Sequence, residues 1–357
     1  MLANRRYHSN GLATLLSRFE PDLACVGCLK APNSAPHIPP HTLQKLKSAL
    51  LEEWHAVPRH NTLNLSSPES YGLHTTSHFF IEASPGVLLG TWYIPPSHSE
   101  QHHYLSHLSS LTDDDRPVVL YLHGSAESRS AAYRRSMYHV LSNEPVNAHV
   151  ITFDYRGFGD SSYISPTVQT LEQDAISMFH WLKEKVPASR IIIWGHSMGT
   201  GIAIRLGEYL ALKNSSSPLA IVLEAPFTSV ADATHTFPLS FFHRRLPFFQ
   251  QFCSDRTRHP DTDMDNEDRV SKITAPLLVL HAADDSMVWS EQGKKVWKKA
   301  IESRGPDLHK PVFVELDGMY GCGHRNIHRA PNLPQEIYKF LSSVKNHYRT
   351  IEACKVT

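Results

Sequence analysis

Arg190-Ile-Ile-Ile-Trp-Gly-His-Ser-Met-Gly-Thr-Gly201 decides how the rest of the chain is read. Three isoleucines and Trp194 make a short apolar run of the β-branched and aromatic kind that builds a buried strand. Gly195-His-Ser-Met-Gly199 then fits G-x-S-x-G, a sharp strand-to-helix turn that presents a serine hydroxyl. A hydroxyl is a weak nucleophile until something holds it toward a base. The turn does this, and its strained backbone tolerates little bulk, so a glycine stands on either side. Ile202 to Lys213 has helical composition and apolar spacing. The N-terminus of such a helix aims backbone N–H groups at the place where an oxyanion forms. The blander reading, a tight turn with an incidental serine, is weakened by the strand before it and the helix after it.

Outward from this turn, strands and helices alternate. His78–Glu82 and Val87–Ile94 flank the turn residues Ala83-Ser-Pro-Gly86, which predicts a hairpin. Val118–Leu122 is continuously apolar, as in a strand covered on both faces, and runs into His123-Gly124-Ser125-Ala126. A helix over Tyr133–Ser142 follows, then a strand over His149–Asp154, a helix over Thr170–Lys185, and the strand of the opening stretch. Beyond it come strands at Leu219–Glu224, Ala275–His281 and Pro311–Leu316, with helices at Trp289–Ser303 and Leu333–His347. This rhythm predicts an α/β fold with a mostly parallel central sheet and helices on both faces. Residues 227–270 break it. They hold a phenylalanine-rich stretch with Arg244 and Arg245, which predicts a cap inserted between late strands, the other reading being a helical excursion that completes the core. Residues 97–116 read as a polar surface insertion, and 1–75 as an irregular, proline-punctuated extension to a main domain over 76–357. Within that extension, Thr42–Trp54 has the apolar spacing of a short amphipathic helix.

Composition narrows the function. The chain has 357 residues, 41% of them hydrophobic, with 35 basic and 35 acidic side chains, so no charge excess points to nucleic acid. Five cysteines do not make a disulfide scaffold, and Cys25-Val-Gly-Cys28 has no second pair with which to bind a metal. No run of 18 or more apolar residues predicts a membrane span, and the basic N-terminus lacks the apolar core of a secretory signal. The expectation is a cytoplasmic protein, with peripheral contact at the endoplasmic reticulum membrane left open, as is its oligomeric state.

Acyl-transfer chemistry needs a base to take the serine proton and an acid to orient that base. After Ser197 the chain carries a carboxylate pair, Asp284-Asp285, at one strand end and His324 in the glycine-rich loop Asp317–His324 after the next. Each lies where open α/β sheets put their chemistry, beyond the carboxyl ends of strands. The form His281-x-x-x-Asp285-x-x-Val288 resembles the usual hydrolase acid loop and favours Asp285 as the acid, leaving Asp284 as a loop cap or a solvent-facing residue. Glu224 is a third candidate. His324 is preferred to His309 and His328 as base because it closes the loop of the last strand. Asp154 reads as a cap on loop amides. The oxyanion donors expected are the backbone N–H groups of Met198 and Ser125.

With these residues assembled, the chain resembles the α/β-hydrolases, and within them the lysophosphatidylserine and monoacylglycerol lipase group. The resemblance covers about residues 77–345 and rests on Pro85–Gly90, Tyr121–Glu127, Asp154–Ser161, Trp194–Gly201, Leu223–Thr228 and Leu280–Asp285. It implies a serine hydrolase acting on lipid esters, monoacylglycerols or lysophospholipids, through Ser197, Asp285 and His324, with no metal and no cofactor. The cap would bind the acyl chain, and Arg244 and Arg245 a phosphate head group. Two other readings are an acyl-protein or acyl-CoA thioesterase, and a catalytically silent lipid- or protein-binding relative. The chain departs from the group in having Ser125 where asparagine is common and Gly321-Cys-Gly-His324 before the base.

Overall fold

Residues 64–97, 107–213, 217–230, 232–233 and 264–356 are described by a computed structural model. The expected cap falls mostly outside these residues, as do Arg244, Arg245, the Cys25–Cys28 pair and the amphipathic segment Thr42–Trp54.

Eight strands form one sheet. They are β1 (Ser77–Ser84), β2 (Val87–Ile94), β3 (Val118–Leu122), β4 (His149–Phe153), β5 (Ile191–His196), β6 (Ala220–Glu224), β7 (Leu277–Ala282) and β8 (Val312–Leu316). Their spatial order is β1-β2-β4-β3-β5-β6-β7-β8. The hairpin β1–β2 and the pair β2–β4 are antiparallel; every other pairing is parallel. The near-continuous apolar runs explain this. β3, β5, β6 and β7 are buried along their whole length, which only a sheet covered on both faces permits.

Alternate residues of each strand feed two separate cores. Leu120, Ile193, Leu223 and Val279 face one core, where they meet α2 (Val168–Lys183), α3 (Met198–Leu212) and α5 (Ser290–Glu302). Val119, Trp194, Val222 and Leu280 face the other, packed on α1 (Ala132–Ser142) and α6 (Leu333–Val356). A further short helix, α4 (Asn266–Val270), is N-capped by Asp265, so part of the acidic stretch after residue 260 serves as a helix start.

Three expectations change. The last helix continues past His347 to Val356. Leu65 and Leu73, within the stretch read as an irregular extension, are buried against the sheet, and the Leu65 carbonyl accepts from Trp92 Nε1 at 2.8 Å. The described end of the supposed surface insertion is likewise anchored. Leu111 is fully buried, and Asp114 meets His149 Nε2 at 3.0 Å and Arg190 at 3.3 Å. Among the described residues no helix is long and apolar enough to cross a membrane.

β3 lies between β4 and β5, so the strand order reverses there. The helices that follow β3 and β5 pack on opposite faces of the sheet, and in such sheets ligands bind beyond the carboxyl ends of the strands at this point.

Candidate active site

Ser197 stands at that edge, between β5 and α3, with φ 51° and ψ −119°. A positive φ in a residue with a side chain stores strain, of order 1–3 kcal/mol, that surrounding structure must hold. Here the hold is visible. Ser197 N–H donates to the Glu224 carbonyl at 3.0 Å, and the Ser197 carbonyl accepts from Thr200 N at 2.8 Å and from its hydroxyl at 2.6 Å. The flanking glycines are steric necessities. A Cβ at Gly195 would lie 2.3 Å from the Gly199 carbonyl oxygen, and one at Gly199 would lie 2.0 Å from that of Leu122.

The Ser197 hydroxyl meets His324 Nε2 at 2.9 Å, and His324 Nδ1 meets Asp285 Oδ2 at 2.8 Å. With Nδ1–H donating to the carboxylate, Nε2 is left as the acceptor for the serine proton. The structure thus joins Ser197, His324 and Asp285 in one chain of hydrogen bonds. Asp285 is itself over-determined. Its Oδ1 accepts from the Met287 and Val288 amides, both at 2.9 Å. Burial pushes the carboxyl up, but hydrogen bonds from His281 and His324 outweigh it and hold Asp285 well below the usual carboxylate range.

The other candidates lie elsewhere. Asp284 Oδ1 accepts from Gly323 N at 2.9 Å, so it caps an amide of the histidine's own loop. Glu224 Oε2 accepts from Trp194 Nε1 at 2.8 Å, and burial raises its carboxyl to about 8, against weaker opposing effects of Trp194 and Arg134. His309 meets Ser343 at 3.0 Å. Asp154 caps the Arg129 amide at 2.7 Å and also grips the Arg129 guanidinium at 2.5 Å.

Of the expected oxyanion donors, Met198 is the first residue of α3, and its N–H is one of the donors a helix start leaves without an intrahelical acceptor. Ser125 is exposed in the loop after β3. That loop reaches the nucleophile through Gly124, where a Cβ would lie 3.2 Å from Ser197 Cβ.

Sequence reasoning did not foresee the contacts of three neighbours. Arg134, fully buried, donates to the carbonyls of Gly124 (3.1 Å), Ala126 (2.5 Å) and Ser128 (2.5 Å), and so shapes the loop holding Ser125. A signal existed: Arg134 lies at i, i+3, i+4 and i+7 with Met137, Tyr138 and Leu141, the buried stripe of α1. His281 Nε2 lies 2.8 Å from the Val288 carbonyl and 3.4 Å from Asp285 Oδ2. His196 Nε2 lies 3.0 Å from the His324 carbonyl.

Residues 117–264 match the family model described as alpha/beta hydrolase fold. The chain is 33% identical over 288 residues to lysophosphatidylserine lipase ABHD12 of Danio rerio, spanning 80% of this chain and 74% of that protein. It is 35% identical over 284 residues to the human protein ABHD12B, spanning 78% and 76%. Among solved structures, an esterase of Pyrococcus furiosus superposes with a TM-score of 0.56 at 19% identity, over 77% of this chain and 92% of that one, a likeness of fold.

Proposed function

The chain belongs to the α/β-hydrolase family, in its lipase group, and on that premise we propose that it hydrolyses monoacyl lipid esters through an acyl-enzyme on Ser197. The observation that carries this reading is the hydrogen-bonded chain from the Ser197 hydroxyl through His324 to Asp285. The names of the relatives favour a lysophospholipid over a monoacylglycerol.

The steps follow from the roles assigned to these residues. Ser197 Oγ attacks the ester carbonyl as its proton passes to His324 Nε2. Asp285, ionised through neutral pH, steadies the imidazolium that forms. The carbonyl oxygen, now negative, is met by the Met198 and Ser125 N–H groups, each worth about 3 kcal/mol in comparable enzymes. The tetrahedral adduct collapses, the C–O bond to the alcohol breaks, and His324 returns its proton to the departing oxygen. Water then attacks the acyl-serine with His324 again as base, releasing the fatty acid and restoring Ser197.

The same reading places the working enzyme against a lipid surface. Met319 is 78% exposed on the loop that delivers His324, and Trp289 is 45% exposed just after the loop of Asp285. Aromatic and flexible apolar side chains at a site's edge suit such an interface.

A panel of lysophospholipids, monoacylglycerols and acyl thioesters, assayed with wild type and S197A, tests the reading. Release of fatty acid from the monoacyl esters by wild type alone is the expected result. Preference for the thioesters, or turnover that survives S197A, overturns it.

A further inference from the structure

We propose that His196 and Asp284 are positioning residues that hold the backbone at His324 and at Gly323 just before it; this rests on His324 being the base. The loop that delivers His324 is anchored by the fully buried Cys322, but the residue directly before the base is a glycine. Gly321 and Gly323 both take positive φ, 60° and 49°, and a Cβ at Gly323 would meet nothing within 4 Å, so packing does not lock that residue. Glycine also loses more backbone freedom on ordering than any other residue.

Two side chains restrict the loop. Asp284 Oδ1 accepts from the Gly323 N–H at 2.9 Å, one residue before the base, and a Cβ at Gly318 of the same loop would lie 3.0 Å from Asp284 Cβ. His196 Nε2–H donates to the His324 carbonyl at 3.0 Å. That acceptor fixes the His196 tautomer: Nε2 carries the proton, and the buried Nδ1 has no hydrogen-bond partner among the described residues. A buried histidine with one orphaned nitrogen is destabilising taken alone. Its placement is explained by the bond it makes to the residue carrying the base.

The positions in the chain matter. His196 immediately precedes Ser197, and Asp284 immediately precedes Asp285. Each partner of His324 therefore has a neighbour that grips the backbone at the base or one residue before it, so both ring distances, 2.9 and 2.8 Å, are set through the main chain as well as through the ring.

A base misplaced by about 1 Å loses on the order of 100-fold in rate. With p-nitrophenyl butyrate as substrate, D284A is expected to lower kcat by roughly 10- to 100-fold with KM changed less than about twofold. D284N keeps the acceptor oxygen and should recover most of that loss. H196A and H196Q should repeat the pattern, the glutamine amide standing in for Nε2–H. Asp284 is exposed, so its variants carry the test even where a His196 variant does not fold.

The deciding measurement repeats D284A in an H324A background. If Asp284 acts through His324, D284A there leaves the residual rate unchanged. An equal fold-loss in both backgrounds, or D284N as impaired as D284A, overturns the proposal. An H324A enzyme as active as wild type overturns the assignment of the base itself, which the other outcomes leave standing.

Discussion

Ser197 and His324 sit 2.9 Å apart but are placed in different ways. The serine is positioned locally. A strand ends, a helix begins, and two glycines let the turn pass within van der Waals contact of its own backbone and of β3. The histidine is positioned from a distance. Its loop is anchored by the buried Cys322, and the ring's placement further depends on contacts spanning 39, 127 and 128 positions in the chain. A nucleophile that must occupy one strained conformation is best built into a turn. A base that must serve two partners is best tied to both of them.

This contrast can be broken at several points. The largest effect is expected at Asp285, whose removal leaves His324 without its orienting acceptor. D285N should reduce kcat by about 10⁴-fold, while E224Q stays within roughly tenfold because Glu224 bonds Trp194 rather than the base. Steady-state kinetics on one ester decides it, and the reverse ranking would move the acid to β6.

The glycines come next. G199A drives a Cβ into the Leu122 carbonyl, a backbone atom that cannot step aside, and should destabilise the fold by about 3 kcal/mol in urea unfolding. If G199A is as stable as wild type, the elbow is not the rigid element described.

Glu224 supports the serine side through its carbonyl and carries a pH dependence. Its carboxyl releases a proton near 8 in the folded protein against 4.5 ordinarily. Between those values the folded state holds a proton that the unfolded chain has lost. The contribution is complete below pH 4.5 and declines as pH rises toward 8, by at most about 1.4 kcal/mol per pH unit. E224Q, which retains an acceptor for Trp194, should flatten that decline. Parallel unfolding curves for the two proteins from pH 5 to 8 would contradict it.

The smallest effect belongs to the histidine loop. G323A meets no neighbour and is opposed only by its positive φ, so it should cost about 1–2 kcal/mol of stability. Activity should fall further than that figure suggests, because the loop carries the base.

Much of this was readable from residue order. The β-branched run before Gly195 marks β5, continuous apolar segments mark the other parallel strands, and Ser197, Asp285 and His324 each follow a strand end. These are signals of local pattern. The remainder depends on which side chains meet in three dimensions. The choice between Asp284 and Asp285 turns on one residue of loop geometry, and the structure gives both a task. Arg134 carries the phase of a buried residue, but its three carbonyl partners lie in an irregular loop that no periodicity describes. His196 occupies the variable position of the elbow pattern, where its identity looked free. Leu65 and Leu73 are isolated apolar residues among turn formers, so nothing in their spacing marks them as core.

The central claim is that Ser197 carries the acyl group during turnover. Reaction with a fluorophosphonate followed by peptide mass analysis tests it most directly. The account predicts one adduct, on the peptide containing Ser197, lost in S197A and formed far more slowly in H324A. An adduct on another residue, or ester turnover by a protein that takes up no label, would contradict it.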